Sequence, residues 1–175
     1  MKTKLTKAQL KTLGKLLKKV HYPFPKVVFD WWVDRCPTMA LELGIVRQGK
    51  RGPEIFMVKR GPKDPVWPNE WHIPGTVIRN ERISVAYKRL IANEATGAAR
   101  FGQLQFVANH EFPKGEGPLR CRRGFEYARI YVVETKKGTT LSGGKFFRFN
   151  RLPKRVIGHH ETMLNLIEVF LRKEA

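Results

Sequence analysis

The sequence predicts an α+β fold, in which one mixed domain follows a short helical extension. Apolar residues repeat at helical spacing before residue 38, alternate with a period of two over several later stretches, and then return twice to helical spacing. With 42% apolar and 11% aromatic residues among 175, the chain can bury one core of its own. The same composition excludes a disordered polymer.

Residues 1–37 are predicted to form a basic amphipathic helical extension. Thr6 and Gln9 have the spacing of a capping box, Pro23 ends the first helix, and a second short helix is predicted over 27–36. The first helix has one apolar face and lysines on its other faces. The apolar positions are Leu10, Leu13, Leu17 and Val20, and the lysines are Lys7, Lys11, Lys15, Lys18 and Lys19. Such a helix either lies on nucleic acid or anionic lipid, or packs on the domain with its lysines in solvent. We favour the packed arrangement.

Residues 38–175 are predicted to form the main domain. Alternating stretches at 39–45 and 55–58 flank a Gly- and Pro-containing turn, which predicts a hairpin. A helix is predicted over 81–96, with Gly97 as its stop signal. The remaining predicted elements are strands at 76–78, 104–111, 125–135 and 145–149 and a closing helix at 160–171.

The chain is strongly basic, with 34 Lys and Arg against 15 Asp and Glu and a net charge of +19. Without residues 1–26, which hold eight lysines and no acidic residue, 26 basic residues still face 15 acidic ones. Polyanions are therefore the expected ligands. Cys36 and Cys121 lie far apart without metal-ligand spacing, and no apolar run reaches the roughly 18 residues of a membrane span. We expect free thiols, no membrane span and a cytoplasmic location.

One stretch of the sequence combines a strand, a Pro-Gly turn and a helix with charged positions. The helix carries Glu81, Arg89, Asn93 and Glu94. Residues three and four positions apart on a helix share a face, so positions 90, 93 and 94 project together. Of those three positions, only Glu94 is a carboxylate.

This stretch resembles the box of the Nudix hydrolase family, G-x5-E-x7-R-E-U-x-E-E-x-G-U, where U is aliphatic. Gly75, Glu81, Arg89, Ile91 and Glu94 are in register with the box. The resemblance spans about residues 38–172 and implies a Nudix-like mixed sheet sandwiched between helices.

The box is degenerate in this chain. Leu90 and Asn93 stand where the family has two of its carboxylates, and the closing Gly97 comes one residue late. The chain is most similar to the GDP-mannose mannosyl hydrolase group, whose helix also reads Arg-Leu-x-x-x-Glu. That group has a metal-binding Gln and a general-base His before its last core strand, where residues 142–145 here are Ser-Gly-Gly-Lys.

The resemblance implies a divalent cation, Mg²⁺ or Mn²⁺, and assigns roles to four residues. Glu94 would be a metal ligand and a catalytic residue, the backbone carbonyl at Gly75 a second ligand, and Arg89 the catalytic-site residue that orients the cluster. Arg60 ends the second strand and would bind a substrate phosphate. Mg²⁺ commonly needs only one or two carboxylates together with water and substrate oxygens, so the reduced set is compatible with a site.

Other side chains remain open candidates. Glu81 either has its family role or interacts with the helix dipole. Glu111 could be a second ligand or a base. His159 and His160 precede the last helix and either include a catalytic base or are exposed capping residues. Because neighbouring residues point in different directions, they are poor joint metal ligands.

Two functions are therefore expected of this sequence. The preferred one is metal-assisted hydrolysis of a nucleoside diphosphate linked to another moiety, with a nucleotide sugar as the substrate class. The alternative is a catalytically silent Nudix-fold module that binds nucleotide or RNA through its basic surface. The sequence leaves open the general base, the site of water attack, and whether the chain is a monomer or a dimer.

Overall fold

A computed structural model describes residues 5–21, 23–97, 100–136 and 139–174. Over these ranges the helices are α1 (Lys7–Leu17), α2 (Lys26–Val33), α3 (Ile83–Glu94) and α4 (Gly158–Glu174), with a short 3₁₀ helix at Phe149–Arg151. The strands are β1 (Thr38–Gly49), β2 (Gly52–Lys59), β3 (Trp71–His72), β4 (Gly75–Val77), β5 (Gln105–Phe112), β6 (Glu126–Glu134) and β7 (Gly144–Arg148).

Within the described ranges, the strands form one seven-stranded mixed sheet with β1 at its centre. The main order is β3-β2-β1-β6-β5, while β4 pairs with β1 and β7 with β2. The predicted hairpin is confirmed, since β1 and β2 are antiparallel with Val46 opposite Ile55. β1 and β6 run parallel, with Thr38 opposite Glu126. This pairing brings together strands that lie far apart in the sequence.

The sheet lies between helices, as the resemblance implied. One face of the sheet packs on α4 through a cluster that includes Ile55, Ile130, Met163 and Ile167. The other face packs on α3 through a cluster that includes Leu41, Leu43, Phe56, Ala86 and Leu90. Alternate side chains of β1 therefore serve opposite layers of the core.

The capping box of α1 is confirmed, since the backbone N–H of Gln9 donates to Thr6 Oγ1 and the Gln9 side chain accepts from the Thr6 backbone N–H. The expectation that α1 packs on the domain is wrong, because none of its residues is buried. Its leucines are exposed, with Leu10 at 52% and Leu17 at 52%. Among the helices of the described ranges, none has the length and apolar character that spanning a membrane requires.

The second helix, α2, does contact the main domain. Val33 is buried, and Asp34, just after the helix, forms an ion pair with Lys114 of the loop between β5 and β6. The backbone carbonyl of Val33 lies so close to Gly124 that a β-carbon there would be 2.3 Å from its oxygen. These contacts hold α2 against the loop between β5 and β6.

Candidate functional site

A cavity of about 250 Å³ opens where β1, β4 and β6 meet the end of α3 and the beginning of α4. Charged and aromatic groups line it, with Phe24 and Phe29 of the N-terminal extension on one side. The lining includes Gly75 and nine polar residues: Glu42, Arg60, His72, Arg89, Glu94, Arg123, Glu126, His159 and His160.

Gly75 lies between two carboxylates. Its backbone N–H donates to Glu94 Oε2 at 3.2 Å, whereas the resemblance implied a role for its carbonyl. On its other side, a β-carbon at position 75 would be 2.3 and 2.4 Å from the two oxygens of Glu42. Only glycine therefore lets the two acids approach the turn together. Glu42 Oε2 is buried and has no hydrogen-bond partner among the described residues.

Glu126 is a third carboxylate of this cavity and is 2% exposed. Burial, followed by the charges of Glu126 and Glu94, raises the pKa of Glu42 well above its usual value. Burial likewise raises the pKa of Glu94 and of Glu126. These neighbouring acids disfavour one another's ionised form, and one oxygen of Glu42 has no hydrogen-bond partner among the described residues. Such a group of carboxylates suits a hard divalent cation, which takes oxygen ligands. The donor set therefore fits Mg²⁺ or Mn²⁺.

Two arginines bring positive charge to the same cavity. Arg60 is close enough for its charge to lower the pKa of Glu42, Glu94 and Glu126 against the effect of burial, and its Nε is buried without a partner among the described residues. Arg123 lies over the ring of Trp67 at 5.1 Å and is 4.0 Å from Glu126 Oε2. Planar guanidinium groups in a cavity of this kind suit phosphate oxygens.

Arg89 ties α3 to β4 rather than pointing freely into the cavity. It donates from Nη1 to Thr76 Oγ1 at 2.6 Å and from Nη2 to the carbonyl of Val77 at 3.0 Å. Its Nη2 also donates to Glu81 Oε1 at 2.5 Å, and this contact lowers the pKa of Glu81. The geometry matches an orienting residue, because these contacts fix the strand that begins at Gly75.

Three buried histidines complete the lining. The interpretation of His159 and His160 as exposed capping residues is wrong, since they are 2% and 5% exposed and their ring centroids are 4.6 Å apart. Burial lowers the pKa of His72 and of His159 to about 3, so both are neutral at pH 7. His160 Nδ1 is 3.9 Å from Glu42 Oε2 and has no hydrogen-bond partner among the described residues.

The structure brings Gly75, Arg89, Glu94 and Arg60, the four residues singled out by the sequence, to one cavity. Glu111 does not join them, because it is exposed on β5. At the two altered box positions of α3, Leu90 is buried in the core and Asn93 is exposed.

Sequence reasoning missed Glu42, Glu126, Arg123 and His72. For Glu42 a signal was present, since it is the only charged residue in the otherwise apolar stretch 39–46. A strand buried on both faces rarely holds an unpaired acid without a functional reason.

Comparison with known proteins identifies the fold. No protein-family model matches the sequence, and no curated protein matches it in sequence. Among solved structures, the chain is similar to the NUDIX domain of Shewanella oneidensis NrtR, solved with ADP ribose, at a TM-score of 0.59 and 13% identity over 95% of this chain and 99% of that one.

Two further solved structures resemble the chain. A candidate asymmetric diadenosine tetraphosphate hydrolase from Jonesia denitrificans gives a TM-score of 0.61 with 14% identity, over 78% of this chain and 95% of that one. A mutT/nudix family protein from Listeria innocua gives 0.59 with 17% identity, over 80% and 98%. At these identities the likeness establishes the Nudix fold.

Proposed function

We propose that this Nudix-fold chain is a Nudix-type hydrolase of a nucleoside diphosphate linked to another moiety, with nucleotide sugars as the substrate class. The observation that carries the proposal is the meeting of Glu42 and Glu94 at Gly75, inside a cavity that also holds Arg60. Hydrolysis of a diphosphate requires neutralised phosphate charge and an activated water, and this arrangement offers groups for both needs.

The residues that would hold Mg²⁺ or Mn²⁺ are Glu94 and Glu42, next to the turn at Gly75. Bound there, the cation would neutralise phosphate charge and lower the pKa of a water. Glu42 stands in for the acids that the degenerate box lacks, since it reaches the turn from β1 rather than from α3. The reduced box is thus compatible with a complete donor set.

The chain's own cations would bind and orient the substrate. Arg60 has a buried, unpartnered Nε beside the carboxylates, which suits a phosphate that bridges the cavity. Arg89 would act indirectly, because its contacts with Thr76 and Val77 hold β4 in place. Phe24 and Phe29 line the cavity and supply apolar surface next to the charged groups.

The proposal is tested by turnover of a substrate panel. Purified chain would be given nucleoside diphosphate sugars, dinucleoside polyphosphates and ADP ribose, with and without Mg²⁺ or Mn²⁺. We expect cation-dependent release of product and a fall in kcat/KM of at least about 100-fold in Glu94→Gln and Glu42→Gln. Glu111→Gln, at an exposed acid outside the cavity, is the matched control and should keep full activity. Turnover that ignores both Glu94 and the cation would refute the proposal.

A second function is favoured by charge and by the two altered box positions. The net charge of +19 and the presence of Leu90 and Asn93 in place of acids suit a silent module that binds nucleotide or RNA. This function predicts no turnover of any substrate, together with salt-sensitive RNA binding that Glu94→Gln leaves unchanged. If residues 1–26 make the contact, deleting them should reduce the salt dependence.

The boundary at residue 38 and the cytoplasmic location remain predictions of the sequence. Contacts of α2 with the main domain predict that a chain beginning at residue 38 would be less stable than one beginning at residue 23. Comparing the urea unfolding of the two truncated chains tests the boundary directly.

A further inference from the structure

A cluster of three different ligand types lies beside the cavity, and two of its members line it. Cys121, from the loop between β5 and β6, is 1% exposed, while Glu126 of β6 and His159 of α4 are each 2% exposed. One ligand atom from each residue lies within 4.8 Å of the others. The cluster therefore joins a loop, a strand and a helix that are separate in the sequence.

The distances within the cluster are close to those around a tetrahedral metal. Cys121 Sγ is 3.9 Å from Glu126 Oε2, and His159 Nε2 is 3.8 Å from Glu126 Oε1. Zinc bonds of about 2.0 to 2.3 Å in a tetrahedron place neighbouring ligand atoms roughly 3.3 to 3.6 Å apart. The two contacts end on different oxygens of Glu126, and the set with one ligand atom from each residue lies within 4.8 Å. Side-chain movements of about 1 Å would bring the three ligand atoms around one ion.

The present contacts leave the cluster incompletely satisfied. Glu126 Oε1 is buried and has no hydrogen-bond partner among the described residues. At 3.9 Å, the thiol of Cys121 donates only weakly to the other oxygen of Glu126. A buried carboxylate oxygen without a partner is costly, and a bound cation would satisfy it.

The residue types select the metal. A thiolate and an imidazole favour zinc and related borderline-soft ions, whereas Mg²⁺ prefers oxygen ligands only. Glu126 and His159 also line the cavity, so a metal held here would lie next to the substrate space. Three protein ligands and one open position are the arrangement of reactive zinc sites.

We propose that Cys121, Glu126 and His159 form a second metal site, which binds Zn²⁺ or a similar transition-metal ion. The site has other ligands than the pair Glu42 and Glu94, and binding displaces the proton of the Cys121 thiol. It does not depend on the hydrolase proposal, because its ligands differ and its binding is measured without a substrate.

The test uses the full chain with Mg²⁺ in excess, so that the oxygen-ligand site is saturated. Zn²⁺ is titrated against a fluorescent chelator, and Co²⁺ is titrated while thiolate-to-cobalt charge-transfer absorption is followed in the near ultraviolet. We expect one equivalent of either metal and a clear charge-transfer band. Cys121→Ser should abolish the band and weaken Zn²⁺ binding at least about 10-fold, and His159→Gln should weaken binding similarly.

Two matched variants decide the assignment. Cys36→Ser removes the only other cysteine, which lies outside the cluster, and should bind both metals as the unaltered chain does. Glu94→Gln should also retain the cobalt band. The proposal is overturned if Cys121→Ser binds Zn²⁺ normally, if the band depends on Cys36, or if the unaltered chain gives no band. Circular dichroism and urea unfolding confirm that each variant is folded; if Cys121→Ser is unfolded, His159→Gln carries the test alone.

Discussion

Replacing Gly75 by alanine tests the geometry on which the candidate hydrolase site depends. The added β-carbon would be 2.3 and 2.4 Å from the oxygens of Glu42 and 2.5 Å from its carboxyl carbon. Since ordinary contact begins near 3.4 Å, the carboxylate must retreat by about 1 Å. Glu42 is only 5% exposed, so it has little room in which to do so.

This displacement should lower the free energy of unfolding only slightly but weaken cation binding strongly. Overpacking a buried site costs about 1 to 3 kcal/mol, and the lower end is expected because the crowded atoms end a flexible side chain. A ligand or catalytic group misplaced by about 1 Å commonly loses about 100-fold in function. If cation affinity falls by that factor, the stabilisation by Mg²⁺ at 100 times the original Kd drops from about 2.7 to about 0.4 kcal/mol.

Urea unfolding with and without Mg²⁺ measures both effects in one experiment. Gly14→Ala is the control, because its β-carbon would meet nothing within 4 Å. We expect that control to respond to Mg²⁺ as the unaltered chain does. If Gly75→Ala kept the full stabilisation by Mg²⁺, the crowding would leave the site unaffected, and Glu42 would not be a ligand held beside Gly75.

Three further predictions concern residues around the cavity. Arg89→Gln and Glu81→Gln, made singly and together, should reveal a coupling of about 1 kcal/mol in urea unfolding, because each breaks the same ion pair at 2.5 Å. His72→Asn, which keeps a donor to the Ile73 carbonyl, should make the chain less sensitive to acid. Burial lowers the pKa of His72 from 6.5 to about 3, so between these values only the unfolded chain takes up this proton and stability falls as pH falls. The expected loss from pH 7 to pH 5 is about 2 kcal/mol in the unaltered chain relative to the variant. Arg60→Gln should raise KM for a diphosphate substrate at least about 10-fold, as measured by steady-state kinetics.

Each of these predictions has its own contradicting result. Additive effects of the changes at positions 81 and 89 would show that the ion pair does not stabilise the fold. Equal pH dependence of unfolding in His72→Asn and the unaltered chain would show that the ring is not held neutral. Lys59→Gln is the control for Arg60, because Lys59 is exposed beside it and should leave KM unchanged.

The local features of the fold were predictable from the sequence, because their signals lie within a few residues. The capping box of α1 and the β1–β2 hairpin are local patterns, and both are confirmed. The spacing from Gly75 to Glu94 predicted residues that share a cavity, since one turn and one helix fix their separation. The start of α3 was misjudged by two residues, because Glu81 pairs with Arg89 instead of joining the helix.

The contributions of distant elements were not predictable in the same way. Glu42 and Glu126 lie on two parallel strands that are about half of the chain apart in sequence, and His160 comes from the last helix. The sequence spacing of these residues does not predict that they lie close together, because only tertiary packing brings them into one cavity. The exposure of α1 escaped prediction for the same reason, because periodicity shows which face is apolar but not whether anything covers it.

The buried acids of this cavity lower the thermal stability of the cation-free chain, so selection for thermal stability would favour their replacement. In the cation-free chain, replacing Glu42 with glutamine removes a carboxyl group whose ionised form is disfavoured by burial and by the charges of Glu126 and Glu94. The variant should unfold at a higher temperature while losing its response to Mg²⁺. A library of variants screened only for heat resistance would therefore be enriched in variants that lack the acidic side chains needed to bind the cation. Engineering of this fold should retain cation binding as a second criterion from the first round.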